Sequence, residues 1–179
     1  MSFNNPEEIW FTGGFLKKWN LGATYINRQN NIYDFGNSVI EVDLLPSTGM
    51  LITREAIELT NGFDEDFLVY YEDFDFCLRV KKNGLKLFCV TQAKIWHKVF
   101  SKKKTAWIAR QWNKSRMIYY RKHAMNTFHK YFLFFYSFCY AIFRSIVKSE
   151  NHGNMGPIFP AIKGLIEGLF VDISIPNSK

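Results

Sequence analysis

Residues 62–84 read GFDEDFLVYYEDFDFCLRVKKNG, and no other stretch limits the fold as tightly. Glu72, Asp73 and Asp75 open its second part, Arg79, Lys81 and Lys82 close it, and Asn83-Gly84 follows. Acids at a helix start and bases at its end offset the helix dipole, and Asn-Gly offers a left-handed stop, so the pattern predicts a helix that begins at the acids. The alternating run LKLFCV at 85–90 predicts a strand after it. Upstream, VIEVDLL at 39–45 predicts a second strand, 46–49 a turn, and 50–53 a short apolar stretch. Thr53 is placed to N-cap a short helix over 54–59, with Asn61-Gly62 as its stop. Residues 93–96 read as a further strand ending at His97, 98–105 as a basic loop, and 106–124 as a helix. Residues 8–30, with Trp10, Gly13, Gly14, Trp19 and Gly22, read as a loop-rich aromatic segment. Strands and helices that mix in this way predict an α/β chain.

Charge divides the chain more sharply than its total of +7 suggests. Residues 1–93 hold 8 Lys/Arg against 13 Asp/Glu, whereas residues 94–148 hold 13 Lys/Arg and no acid. A block of this kind attracts polyanions: nucleic acid, anionic headgroups or substrate phosphates. No nucleic-acid fold signature accompanies it, which sets that class aside. Within the block, YFLFFYSFCYAIF at 131–143 carries no charge and lies between Lys130 and Arg144. Spanning a bilayer takes about 20 apolar residues, so 13 are too few. The run suits either a core helix or an interfacial one, with Phe and Tyr in lipid and the flanking bases on headgroups; the density of aromatics favours the membrane. Gly164 and Gly168, four apart, mark a last short segment at 161–170. The three cysteines, Cys77, Cys89 and Cys139, have no metal-ligand spacing, and with no apolar leader at the N-terminus they read as free thiols in a reducing compartment.

The residues best suited to chemistry are the acids at 72–75. Asp75 and Arg79 are one helical turn apart and can pair on one face. Asp73 sits about 100° around from Glu72 at the helix start, where free backbone N–H groups favour an ionised carboxylate. A general base must be ionised near neutral pH and within reach of the proton it takes. Taken alone, acids at a helix start more often only decorate it.

Several ordered blocks lift the pattern above that level. They are Thr48-Gly49, Leu51-Ile52-Thr53-Arg54, Gly62-Phe63-Asp64-Glu65, Tyr71-Glu72-Asp73-Phe74-Asp75, Cys77-Leu78-Arg79, Gly84 and Ile95-Trp96-His97. Together with PEEIWFTGG at 6–14 and a basic helix from Lys114-Ser115-Arg116 to Arg121-Lys122-His123, they resemble family 2 glycosyltransferases over residues 6–125, especially rhamnosyl- and galactofuranosyltransferase-like members. Lys114 and Ser115 stand where that family usually has Arg and Asn.

The resemblance implies a partial GT-A domain of mixed sheet and helices over 1–125, and the composition of 126–179 predicts a helical, membrane-associated tail after it. It implies inverting transfer of a sugar from a nucleotide-sugar donor to a glycan or lipid-linked saccharide in cell-surface polysaccharide synthesis, at the inner face of the cell membrane. Asp73 matches the catalytic base; Glu72, Asp75, Arg79, Gly49 and Trp96 match acceptor-binding or supporting positions. His97 matches a histidine that in some members ligates a divalent metal, Mg²⁺ or Mn²⁺, and Lys102, Lys103 and Lys104 match a loop that closes on donor phosphates. Read from the residues alone, Gly49 is equally a turn glycine and His97 equally a strand-end residue bonded locally. The family's N-terminal nucleotide-binding half, with its Asp-x-Asp, has no counterpart in these residues; Asp64-Glu65-Asp66 falls in a turn block instead. The expectation is a chain that supplies the base and acceptor side, with a partner chain for the donor half, or a non-catalytic relative that binds glycan or a partner transferase.

Overall fold

The computed structural model describes residues 9–26, 38–98, 106–152 and 158–173, with the side chains of 144–152 left out of the description. The chain forms β1 (Gly14–Leu16), β2 (Ala23–Tyr25), β3 (Val39–Val42), α1 (Arg54–Thr60), α2 (Glu72–Lys82), β4 (Leu87–Val90), α3 (Ala106–His123), α4 (Thr127–His152) and α5 (Ile158–Phe170). Two compact units contain these elements. The first comprises 1–18, 22–64 and 72–102, and the second 19–21, 65–71 and 103–179. The sequence reading divides the chain at 125, whereas compactness places α3 with α4 and α5.

In the first unit, β1 and β2 form one antiparallel hairpin, and β3 and β4 a second antiparallel pair with Val42 opposite Leu87. Both described sheets are therefore antiparallel, where a mixed sheet was expected. The hairpin within 8–30 was not anticipated; its strands are three residues each, too short to show alternation. Gly14 joins the two sheets by backbone bonds with Leu44, and a Cβ on it would crowd the Thr24 carbonyl oxygen at 3.0 Å. Leu44 thus continues the predicted strand as a bridge rather than a ladder. Residues 93–96 form no strand: the segment is held by Ile95 lying over Gly49, and only His97 makes a bridge.

Both helices of this unit start and stop where the sequence indicates. Thr53 accepts from the Ala56 N–H at 3.2 Å, and Asn61 takes the left-handed conformation at φ 58°. Helix α2 begins on Glu72 and buries Asp75, Phe76, Cys77 and Val80. The last three pack with Val42, Leu44, Ala56 and Leu87 as the core of the unit.

The second unit is helical. Met117 of α3, Ala141 of α4 and Leu165 of α5 form its core with Phe134 and Leu169. The Gly164–Gly168 pair explains how close α5 comes to α3: a Cβ at Gly164 would strike the Arg110 carbonyl, and one at Gly168 would lie 2.5 Å from the Lys114 carbonyl oxygen. Arg110 then pairs with Glu167 at 2.6 Å, and Arg121 donates to the Gly168 and Val171 carbonyls at 2.9 and 2.7 Å, capping α5.

Candidate active site

The chemistry-bearing corner lies where α2 starts against the 46–49 turn. The Ser47 and Phe74 N–H groups both donate to Asp73, the latter at 2.9 Å to Oδ1. The Ser47 hydroxyl reaches Glu72 Oε1 at 3.4 Å, while Glu72 Oε2 is buried without a hydrogen-bond partner among the described residues. Sequence reading missed Ser47; one polar residue in a turn carries no signal of what it will face. It also expected the helix N-terminus to fix the charge state of Asp73. Burial, reinforced by the neighbouring Glu72 carboxylate, outweighs those N–H groups and pushes Asp73 up to about 6. The carboxylate is therefore ionised at neutral pH yet far more basic than a solvated aspartate, which suits a base for a hydroxyl group.

Asp75 and Arg79 form the pair that their spacing predicts. Asp75 is 0% exposed and accepts from Arg79 Nε at 2.7 Å, with Nη2 of the same guanidinium 2.6 Å away in the ion pair. Arg79 also donates to the Thr60 and Gly62 carbonyls. Those carbonyls end α1, so the pair ties α2 to the C-terminus of α1. Full burial leaves Asp75 no exposed surface.

A cavity of about 750 Å³ opens beside this corner in the same unit. Its wall includes Trp10, Thr48, Gly49, Met50, Phe76 and His97. Asp73 is not in that wall; the 46–49 turn serves both places, with Ser47 against the carboxylates and Thr48 and Gly49 on the cavity. Gly49 has φ 81° and would drive a Cβ into Ile95, so turn geometry and close packing both require glycine. His97 lies with its ring 4.6 Å from that of Trp10. Trp96 is half exposed and is absent from the cavity wall. Among the described residues no three His, Cys, Asp or Glu side chains come together to hold a metal ion. Lys102, Lys103 and Lys104 lie outside the described residues.

The residues leading into α2 carry a further feature. Tyr70 and Tyr71 both have positive φ, 65° and 66°, which bulky side chains rarely adopt. Within the second unit their rings meet Trp112 at 5.0 and 5.4 Å, and Tyr71 meets Tyr119 at 5.4 Å. Ser115, buried on α3, donates to the Val69 carbonyl at 2.7 Å. Aromatic packing and this bond thus hold a strained turn immediately before the acids, as strained backbone at working sites generally needs. Nothing in the sequence marks this turn beyond its density of tyrosines.

A search of curated proteins finds no match to the chain. Among protein families, the model described as "Glycosyl transferase family group 2" matches residues 14–158. That span covers both carboxylates, the 46–49 turn, the Asp75–Arg79 pair and helices α3 and α4. The described residues, with antiparallel sheet pairs and five helices, are consistent with part of a GT-A-like domain followed by a helical C-terminal part. The chain belongs to glycosyltransferase family 2 and is a glycosyltransferase.

Proposed function

We propose that this chain carries the base and acceptor side of an inverting glycosyl transfer, with Asp73 as the base. The observation that supports it is the Asp73 carboxylate, raised to about 6 and oriented by the Ser47 and Phe74 N–H groups. An acceptor hydroxyl loses its proton to Asp73 as its oxygen attacks the anomeric carbon from the face opposite the leaving group. The new C–O bond forms while the bond to the donor phosphate breaks, and the electron pair leaves with the nucleotide. Glu72 beside the base raises its basicity, and the Asp75–Arg79 pair holds the helix that presents it.

The acceptor in this reading is a glycan or a lipid-linked saccharide in cell-surface polysaccharide synthesis, in the manner of rhamnosyl- and galactofuranosyl-transferring relatives, and the protein works at the inner face of the cell membrane. The donor-binding half comes from outside these residues, from a longer chain or a partner chain. A divalent metal, Mg²⁺ or Mn²⁺, belongs to the reading through His97 and would neutralise donor phosphates. Among the described residues His97 is not part of any group of three His, Cys, Asp or Glu side chains that could hold the ion. Lys102, Lys103 and Lys104 are proposed as the donor-phosphate loop.

Calorimetric titration with a panel of nucleotide-sugars, with and without Mn²⁺, tests the donor side. The reading expects no binding by this chain alone, and metal-dependent binding once the donor half is supplied. Tight donor binding by this chain alone would contradict the division of labour proposed here.

A further inference from the structure

The uncharged run at 131–143 was open between core and membrane, and the structure divides it lengthwise. One side of α4 packs inward through His129, Leu133, Ser137 and Ala141, spaced four apart. The other side presents Phe128, Tyr131, Phe132, Phe135, Phe138 and Phe143 to solvent, with Phe128 at 82%, Phe135 at 71% and Phe143 at 63% exposure. These positions follow the spacing of a single helical stripe. No charged residue is exposed on α4 between 127 and 143; Lys130, half-buried, lies over the Phe134 ring. Contiguous aromatic surface of this kind is rare on a solvated protein unless it meets a partner. Trp19, itself half exposed, meets Tyr136 edge-on at 5.8 Å and lies 6.3 Å from Phe132. On α5, Phe159, Ile166 and Phe170 form a second exposed stripe.

We propose that the aromatic stripe of α4 is a monotopic membrane-docking surface, lying in the plane of an anionic bilayer with its Phe and Tyr rings below the headgroups. This extends the membrane location proposed above to a named surface and does not depend on the identity of the base. One observation selects a lipid surface over another protein, and a second fixes how lipid would be met. In sequence the stripe lies within 94–148, a stretch with 13 Lys/Arg and no acid, and such a stretch favours anionic headgroups. Among the described residues no helix is long and apolar enough to cross a membrane, which leaves in-plane insertion as the way α4 meets lipid. Aromatic rings with basic flanks are the composition such helices use, since apolar area and charge both contribute to binding.

Flotation of the full chain with vesicles tests this, using phosphatidylglycerol-containing and pure phosphatidylcholine vesicles in parallel. The exposed Cys139, labelled with an environment-sensitive fluorophore in a Cys89→Ser background, reports depth from the centre of the stripe. The expected result is co-flotation at least tenfold stronger with the anionic vesicles, a blue shift of the label, and at least tenfold loss in Phe128→Glu/Phe135→Glu. Both substituted side chains are exposed, so circular dichroism should be unchanged. Equal flotation of the double variant, or no flotation of the parent chain, would overturn the proposal. A concentration-dependent dimer that shields Cys139 from labelling would also overturn it and identify a second copy as the occupant. None of these outcomes alters turnover with a soluble acceptor, so failure here is separable from failure of the Asp73 assignment.

Discussion

Asp73 is expensive to keep ionised, and that cost makes a prediction. Its proton is held more tightly in the folded chain, at about 6, than at the ordinary value of 3.8. Between those two values the native state binds more protons than the unfolded state, so stability falls as pH rises through the window and stays lower above it. Asp73→Asn removes the charge and should stabilise the chain at pH 7 by roughly 2 kcal/mol, with the gain vanishing below about pH 4. Urea melts of both proteins at pH 4 and pH 7 check this; equal stability at both would show that the carboxylate is not strained. The Asp75–Arg79 pair behaves oppositely. Arg79→Ala leaves a fully buried carboxylate uncompensated and should cost about 3–5 kcal/mol, read in the same melts. Spacing made the pair legible, since four residues is one helical turn. The direction in which Asp73 shifts was not legible, because burial by the 46–49 turn is a tertiary fact that no local pattern encodes.

Elements were legible in proportion to their local chemistry. Helices α1 and α2 carry their own caps and dipole charges, and each falls where Thr53, Asn61 and the 72–75 acids place it. The 93–96 segment, Ala-Lys-Ile-Trp, has strand-forming letters only at Ile95 and Trp96, and in the structure Ile95 lies over Gly49 outside any strand. The approach of α5 to α3 rests on two glycines whose spacing was visible and whose purpose was not. Gly164→Ala places a methyl group against the Arg110 carbonyl, so α5 must move outward. Overpacking at such a contact should cost about 1–3 kcal/mol, and hydrogen exchange should rise along α5 and the facing turns of α3. Unchanged protection in both helices would show that the contact tolerates a side chain. For Thr53→Ala, loss of the cap should cost about 1 kcal/mol, measured by denaturant midpoint.

At the scale of the molecule, the chain leaves and re-enters each compact unit. Residues 65–71 belong to the helical unit, and Glu72 begins the next stretch of the other. Sequence reading divided the chain where composition changes, at the start of the aromatic tail. Compactness follows packing instead, and α3, with its buried Met117, Ile118 and Tyr119, goes with the helices. The carboxylates and Gly49, which the proposed function uses, are residues that local rules and ordered blocks single out in the sequence. Ser47 and the Tyr70–Tyr71 turn were not legible, because their roles exist only once distant segments meet. The glycosyltransferase assignment covers residues 14–158, and the proposed assignment of Asp73 as base is the claim on which the mechanism turns.

That claim is tested most directly by turnover of Asp73→Asn, compared with the parent sequence under saturating donor and acceptor, in an assay supplied with a donor-binding half. Asparagine preserves shape and cannot take the proton. The account predicts a loss of about 10² or more, with the circular dichroism of the two proteins superimposable. Near-normal turnover in a folded Asp73→Asn protein would contradict it, and the base would have to be sought elsewhere.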